Sequence, residues 1–176
     1  RRYPPPPMPP ERPNEARRPR DTALAFGLLA LFAGVGVASA LVHSGVPDEV
    51  AVHLPAGFLF LESGRFAGGL GNPPLGQLAL AWPAWLGAGA YVPFETAGLL
   101  APRLVALATG VVAGLALLAL SRALAGTGVA LGALFFLATS PTFQAHASLA
   151  TLDVPVTACI VVSAWAAHRC ARDGRA

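Results

Sequence analysis

The chain has 176 residues, of which 55% are hydrophobic and only 12% charged, with a formal net charge of +3. Its mean hydropathy is +0.59. A soluble domain of this length carries about 25% charged residues, so the composition excludes an ordinary water-soluble fold. The two cysteines, Cys159 and Cys170, exclude a disulfide framework and a cysteine-built metal site.

Residues 1–21 come first, and they have almost nothing to bury. The run is rich in proline and arginine and predicts a disordered, partly polyproline II tail. Six of the twelve arginines lie here, and the chain has no lysine. A basic tail raises the question of nucleic acid. This one is broken by prolines, has no aromatic interleaving beyond Tyr3, and abuts an apolar segment. It reads as a cytoplasmic, positive-inside anchor, with no nucleic-acid partner implied. A solvated tail is preferred over an SH3-type ligand.

Ala23 to Val42 is uncharged. At about 1.5 Å per residue it reaches about 30 Å, the thickness of a bilayer core. A signal peptide is the competing reading, but the run is longer than a signal core and further spans follow. Residues 43–98 are mixed: Asp48, Glu49, Glu62, Arg65 and Glu95 are scattered among apolar pieces, and Pro73, Pro74, Pro83 and many glycines interrupt them. This region predicts an outer loop with short interfacial helices, anchored by Trp82, Trp85 and Tyr91. A second span is predicted from Leu104 to Leu120, between Arg103 and Arg122. A third runs from Ala123 to His146 with Pro141 bending or ending it, and a fourth from Asp153 to His168 before Arg169, Arg172 and Arg175. The expected fold is therefore all-α: a polytopic membrane protein with about four transmembrane helices in residues 22–176. Gly110 and Gly114 form a GxxxG in the second span, which signals close helix packing more often than dimerisation.

Arginine flanks fix the expected orientation. With the tail inside, the four spans alternate so that Arg122 and Arg169 also fall inside. Asp48, Glu49 and Asp153 then share the outer face. Asp153 before Val154-Pro155 is a good helix N-cap, and a capped helix end directs backbone N–H groups toward an anion. Arg103 stands on the acid side, where a snorkelling arginine is common and a phosphate would need a cation. His53 and His146 fall there too. No tight ligand cluster marks a metal site, so the cofactor is left unknown.

Three stretches in order resemble a known family, the GT-C membrane glycosyltransferases of the protein O-mannosyltransferase and aminoarabinose transferase type. The first is DEVAVHLPAGFLFLESGRF, carrying Asp48, Glu49, His53, Gly57 and Gly64. The second is Asn72-Pro73-Pro74-Leu75, where the family more usually has His-Pro-Pro-Leu. The third runs from Ala138-Thr139-Ser140-Pro141 through His146, Leu149, Ala150 and Thr151 to Asp153 and Pro155. The resemblance implies transfer of a sugar from a polyprenyl-phosphate donor to a hydroxyl acceptor at the outer face of a membrane, expected to be the bacterial plasma membrane. It implies Asp48 as general base, with Glu49 supporting it or shaping the site. Arg103, Asp153 and His53 are then the expected substrate-facing residues. Since Asn72 stands where the family keeps histidine, no role is assigned to that imidazole.

Members of the family use different sugars and acceptors with similar first-loop motifs, so the motifs specify neither. The opening Arg and the stop just after an apolar segment suggest an N-terminal fragment, expected to be inactive by itself. Two other classes compete. A non-catalytic scaffold or degenerate relative would keep the helices without the chemistry. A transporter piece would place acids inside the spans, whereas these acids flank them.

Overall fold

The computed structural model describes residues 18–65, 74–88 and 96–174, and among these every regular element is helical. The helices are α1 Pro19–Val42, α2 Leu54–Ser63, α3 Pro74–Ala88, α4 Thr96–Ala125, α5 Thr127–Thr139, α6 Pro141–Ala147 and α7 Asp153–Arg172. A short π-helical segment, Asp48–His53, runs into α2. Three helices are long and apolar enough to cross a membrane: Pro19–Val42, Gly98–Ala125 and Asp153–Arg172. The pair α5 and α6 is bent by 65° and together forms a broken span or a re-entrant loop. The all-α membrane bundle expected from the sequence is therefore present, with three or four spanning helices.

Helix α4 is the hub, packing on α1, α3, α5 and α7. Small residues let it do so. A Cβ on Gly110 would lie 2.9 Å from the Phe32 ring, and one on Gly114 3.0 Å from Leu29 Cδ2. Gly36 of α1 returns the contact by receiving Leu107 of α4. Between lipid-embedded helices the hydrophobic effect offers little net attraction, so such van der Waals fits supply the adhesion. The GxxxG thus serves packing within the chain, between α4 and α1. Phe32 is fully buried there, in a cluster with Leu107, Ala138, Ala147 and Val154.

A second cluster sits at the end of the bundle that carries the acids. Val50, Leu54, Phe58, Leu80, Ala81, Leu99, Ala106, Ala150 and Leu152 pack together, joining the π-helical segment, α2, α3 and α4 to the chain before α7. Gly57 lets α2 and α3 touch, because a Cβ there would run into the Gln77 backbone carbonyl.

Several boundaries differ from the sequence expectation. The second span starts earlier than Leu104: α4 begins at Thr96, so Arg103 lies inside the helix instead of at its mouth. Pro102 sits within α4 and Pro83 within α3 without ending either helix. The third span is two pieces, because α4 extends to Ala125 and the turn at Gly126, whose φ is 89°, restarts the chain as α5. Pro141 marks the bend, as its missing N–H and ring require. Ser140 caps α6 by accepting from Phe143 N, and Gln144 Nε2 donates to the Ala138 carbonyl at 2.9 Å across the break. Of the expected interfacial anchors, Trp82 is half exposed and Trp85 packs against the acid-end cluster. Tyr91, Glu95, Asn72 and residues 1–17 lie outside the described residues. Cys159 and Cys170 are free and exposed on α7.

Candidate active site

Two neighbouring acids meet opposite fates. The π-helical segment turns Glu49, Val50 and His53 inward and leaves Asp48 exposed. Glu49 is fully buried and meets Arg103, also fully buried, in a two-pronged ion pair. Arg103 Nε donates to Glu49 Oε1 at 2.8 Å, and Nη2 donates to Oε2 at 2.7 Å. Glu49 also accepts from Ala150 N at 2.9 Å and, more distantly, from Val46 N at 3.4 Å. Its four acceptor positions are thereby filled.

Arginine has five N–H donors, and Arg103 spends all of them inside the protein. Beyond Glu49, its Nη1 donates to the Ala40 and His43 carbonyls at 2.9 and 2.7 Å, and its Nη2 to the Ser44 carbonyl at 3.0 Å. These carbonyls belong to the end of α1 and the turn beyond it, where the last C=O groups of a helix lack partners within it. The expectation that Arg103 faces a lipid phosphate is corrected on this ground: it has no N–H to offer. Glu49 is likewise enclosed, its carboxylate committed to Arg103 and the Ala150 turn and not exposed as that of Asp48 is. The clasp ties α1, the π-helical segment, α4 and the Ala150 turn into one rigid floor. Ser39 reinforces it by donating to Ser148 Oγ at 2.9 Å.

Above that floor stand Asp48, His53, His146 and Asp153. His53 is about nine-tenths buried and its Nδ1 has no hydrogen-bond partner. Burial lowers its pKa below the ordinary 6.5, while the charges of Asp48 and then Asp153 pull it upward. Both carboxylates are thus within electrostatic reach of one imidazole. His146 Nδ1 lies 3.1 Å from Asp153 Oδ2, an ion-pair distance, though off the line of a hydrogen bond. Asp153 is not the N-cap of α7. That position is Leu152, without a side-chain cap, and Asp153 occupies the first turn with its carboxylate turned toward His146. Among the described residues, no three His, Cys, Asp or Glu side chains gather closely enough to hold a metal ion.

The cluster offers an exposed carboxylate beside a neutral imidazole, with a second carboxylate nearby, all on a fixed base. Such a set can accept a proton from a hydroxyl and pass or share it. Sequence reasoning placed Asp48, His53 and Asp153 on one face. It gave Gln77 no role and took Thr151 only as part of the third stretch; both are buried at the same end with polar atoms that have no partner among the described residues, and a single Gln in an apolar helix gives no signal. Fold and site together define an all-helical membrane-type protein with a carboxylate–imidazole cluster at one end of its bundle. Comparison with protein-family models, curated proteins and solved structures finds no match.

Proposed function

We propose that this chain carries the acid-bearing part of a membrane glycosyltransferase, in which Asp48 is the general base. The observation that carries the reading is the division of labour between adjacent acids: Glu49 is spent on the clasp, and Asp48 is left exposed beside His53. The motif resemblance supplies the reaction. The acceptor hydroxyl gives its proton to the Asp48 carboxylate as its oxygen bonds to the anomeric carbon. The bond from that carbon to the phosphate oxygen breaks, and polyprenyl phosphate departs with the electron pair. Since Arg103 has no free donor, the charge on the leaving phosphate is met by other groups.

The charge pattern supports an outward site in an integral membrane protein. Arg18, Arg20, Arg122, Arg169 and Arg172 flank the helix ends opposite the acids. Basic flanks favour the cytoplasmic side, which supports an outward-facing cluster.

Transfer of labelled sugar from polyprenyl-phosphate donors, in membranes expressing the complete gene, tests this. Wild type transfers, and Asp48→Asn loses about 100-fold or more of the rate, as removal of a general base does, at an unchanged protein level. Equal transfer by Asp48→Asn removes Asp48 from the mechanism. Absence of transfer from every donor by the wild type supports a non-catalytic scaffold instead.

A further inference from the structure

The end of the bundle opposite the carboxylate–imidazole cluster carries five arginines, and the packing brings them to one level. Helix α1 runs antiparallel to α4: Gly36 receives Leu107, the Phe32 ring lies 2.9 Å from a Cβ on Gly110, and Leu29 Cδ2 lies 3.0 Å from one on Gly114. Continued at the same register, Arg20 falls beside Arg122 and Arg18 beside Ala125. Helix α7 runs parallel to α4 from Val154, whose Cγ1 is 3.3 Å from the Cβ position of Gly110. Arg169 therefore also falls near the level of Ala125, with Arg172 one turn further. At about 1.5 Å per residue, the five lie within about 10 Å of one another along the bundle axis.

Helix dipoles do not account for this set. Arg122, Arg169 and Arg172 stand in the last turns of α4 and α7, where a cation is favoured. Arg18 and Arg20 stand at the start of α1, where it is not. Nor is the charge neutralised in place. Asp21 and Asp173 are the acids described at this end, and Asp173 meets Arg169 at 3.6 Å. Among the described residues, the guanidinium groups of Arg18, Arg20, Arg122 and Arg172 make no ion pair. The surface beside them is apolar: Leu24 is 52% exposed, Phe26 65% and Leu124 61%. Trp165, one turn before Arg169, lies under its guanidinium at 6.0 Å.

Helix length says what such a surface faces. Leu104 to Ser121 is uncharged, and from Arg103 to Arg122 an α-helix rises about 28 Å, close to the bilayer core of about 30 Å. The arginines thus stand where the hydrocarbon ends, a level that also suits Trp165. A guanidinium takes phosphate oxygens with a two-pronged fork, so the chemistry offered is that of a phosphate binder. A water-soluble phosphate or a nucleic acid would leave Leu24, Phe26 and Leu124 uncovered. A phospholipid answers both features, with acyl chains against the apolar side chains and its headgroup at the arginines. We propose that this end of the bundle is a binding surface for anionic phospholipids such as phosphatidylglycerol. Zwitterionic lipids are disfavoured, because their own ammonium group offsets the phosphate that the arginines attract. The surface is independent of the transferase reading.

Quenching of Trp165 by brominated lipids tests this. The full chain with Trp82→Phe and Trp85→Phe keeps Trp165 as its reporter. It is reconstituted in symmetric phosphatidylcholine bilayers containing either brominated phosphatidylglycerol or brominated phosphatidylcholine. At low salt the brominated phosphatidylglycerol is preferred at least about fivefold, the effect of one arginine near an anionic headgroup. The preference falls toward unity as salt screens the charge. Arg122→Gln with Arg172→Gln removes most of it, and Arg172→Gln alone, at an exposed position, lowers it should the double variant not fold. Read through Trp82 instead, with Trp85→Phe and Trp165→Phe, the same bilayers show no preference. Equal quenching of Trp165 by the two lipids at low salt, a preference that survives the arginine variants, or an equal preference at Trp82 overturns the proposal. Loss of the preference on adding millimolar glycerol phosphate or a short oligonucleotide shows that phosphate alone is held, and overturns the lipid as occupant.

Discussion

The buried clasp makes adjacent acids behave oppositely under the same change. In Glu49→Gln the side-chain shape survives, but an amide NH2 replaces one oxygen and faces donors from Arg103 and either Ala150 or Val46. Arg103 then sits wholly buried without a counter-charge. Breaking a buried pair in this way costs about 3–5 kcal/mol. Arg103→Lys keeps the charge but brings three N–H groups where five are used. Two acceptors go unmet at about 1–3 kcal/mol each, so the loss is about 2–6 kcal/mol. The double change Glu49→Leu with Arg103→Met removes both charges and costs less than the sum of the singles, with a coupling of about 2–3 kcal/mol. Detergent-driven unfolding in mixed micelles, followed through Trp82, Trp85 and Trp165, reads these values. Asp48→Asn, one residue away and exposed, leaves the midpoint unchanged. Single variants each costing under about 1 kcal/mol, with additive effects in the double, would refute the clasp as the element that fixes this end of the bundle.

Other outcomes follow from the packing and from His53. Gly57→Ala drives a methyl into the Gln77 carbonyl and costs about 1–3 kcal/mol, whereas Gly27→Ala, with open space around it, costs nothing in the same unfolding assay. The folded-state pKa of His53 lies below 6.5, so from that pH downward the unfolded chain binds more protons than the native one. His53 therefore favours the native state fully above pH 6.5, and this contribution fades as pH falls toward the lowered value. Wild-type stability accordingly drops between pH 7 and 5 more than that of His53→Gln, and parallel curves would contradict the buried imidazole. Ser140→Ala removes the α6 cap at the bend and costs about 0.5–1 kcal/mol, seen as a lower unfolding midpoint.

The spans were legible because their signal is crude and strong: uncharged runs such as Ala23 to Val42 need a bilayer or a helical core, and little else in the sequence competes. The break at Pro141 was legible for the same kind of reason, a missing N–H. The roles of Asp48 and Glu49 were not, since nothing in Pro47-Asp48-Glu49-Val50 says which acid turns inward. That choice is made by a π-helical segment, whose wider turn puts Glu49 and His53 on one buried face. Arg103 misled because a charge beside an apolar run looks like the end of a span. Ionisable groups within such runs are usually paired with one another, and that rule points to Glu49 once α4 is allowed to begin at Thr96. Gln77 stayed hidden because a lone glutamine in an apolar run carries no sign of the full burial it meets in the folded chain.

A helix normally ends at water, because water is what its last carbonyls can bond. Here a guanidinium receives the carbonyls of Ala40, His43 and Ser44 instead, and α1 is released from that requirement. The chain can therefore leave α1 at Val42 and turn into the Asp48–His53 segment without a row of unpaired carbonyls, and the guanidinium that closes the end of α1 also grips Glu49, the neighbour of the exposed Asp48.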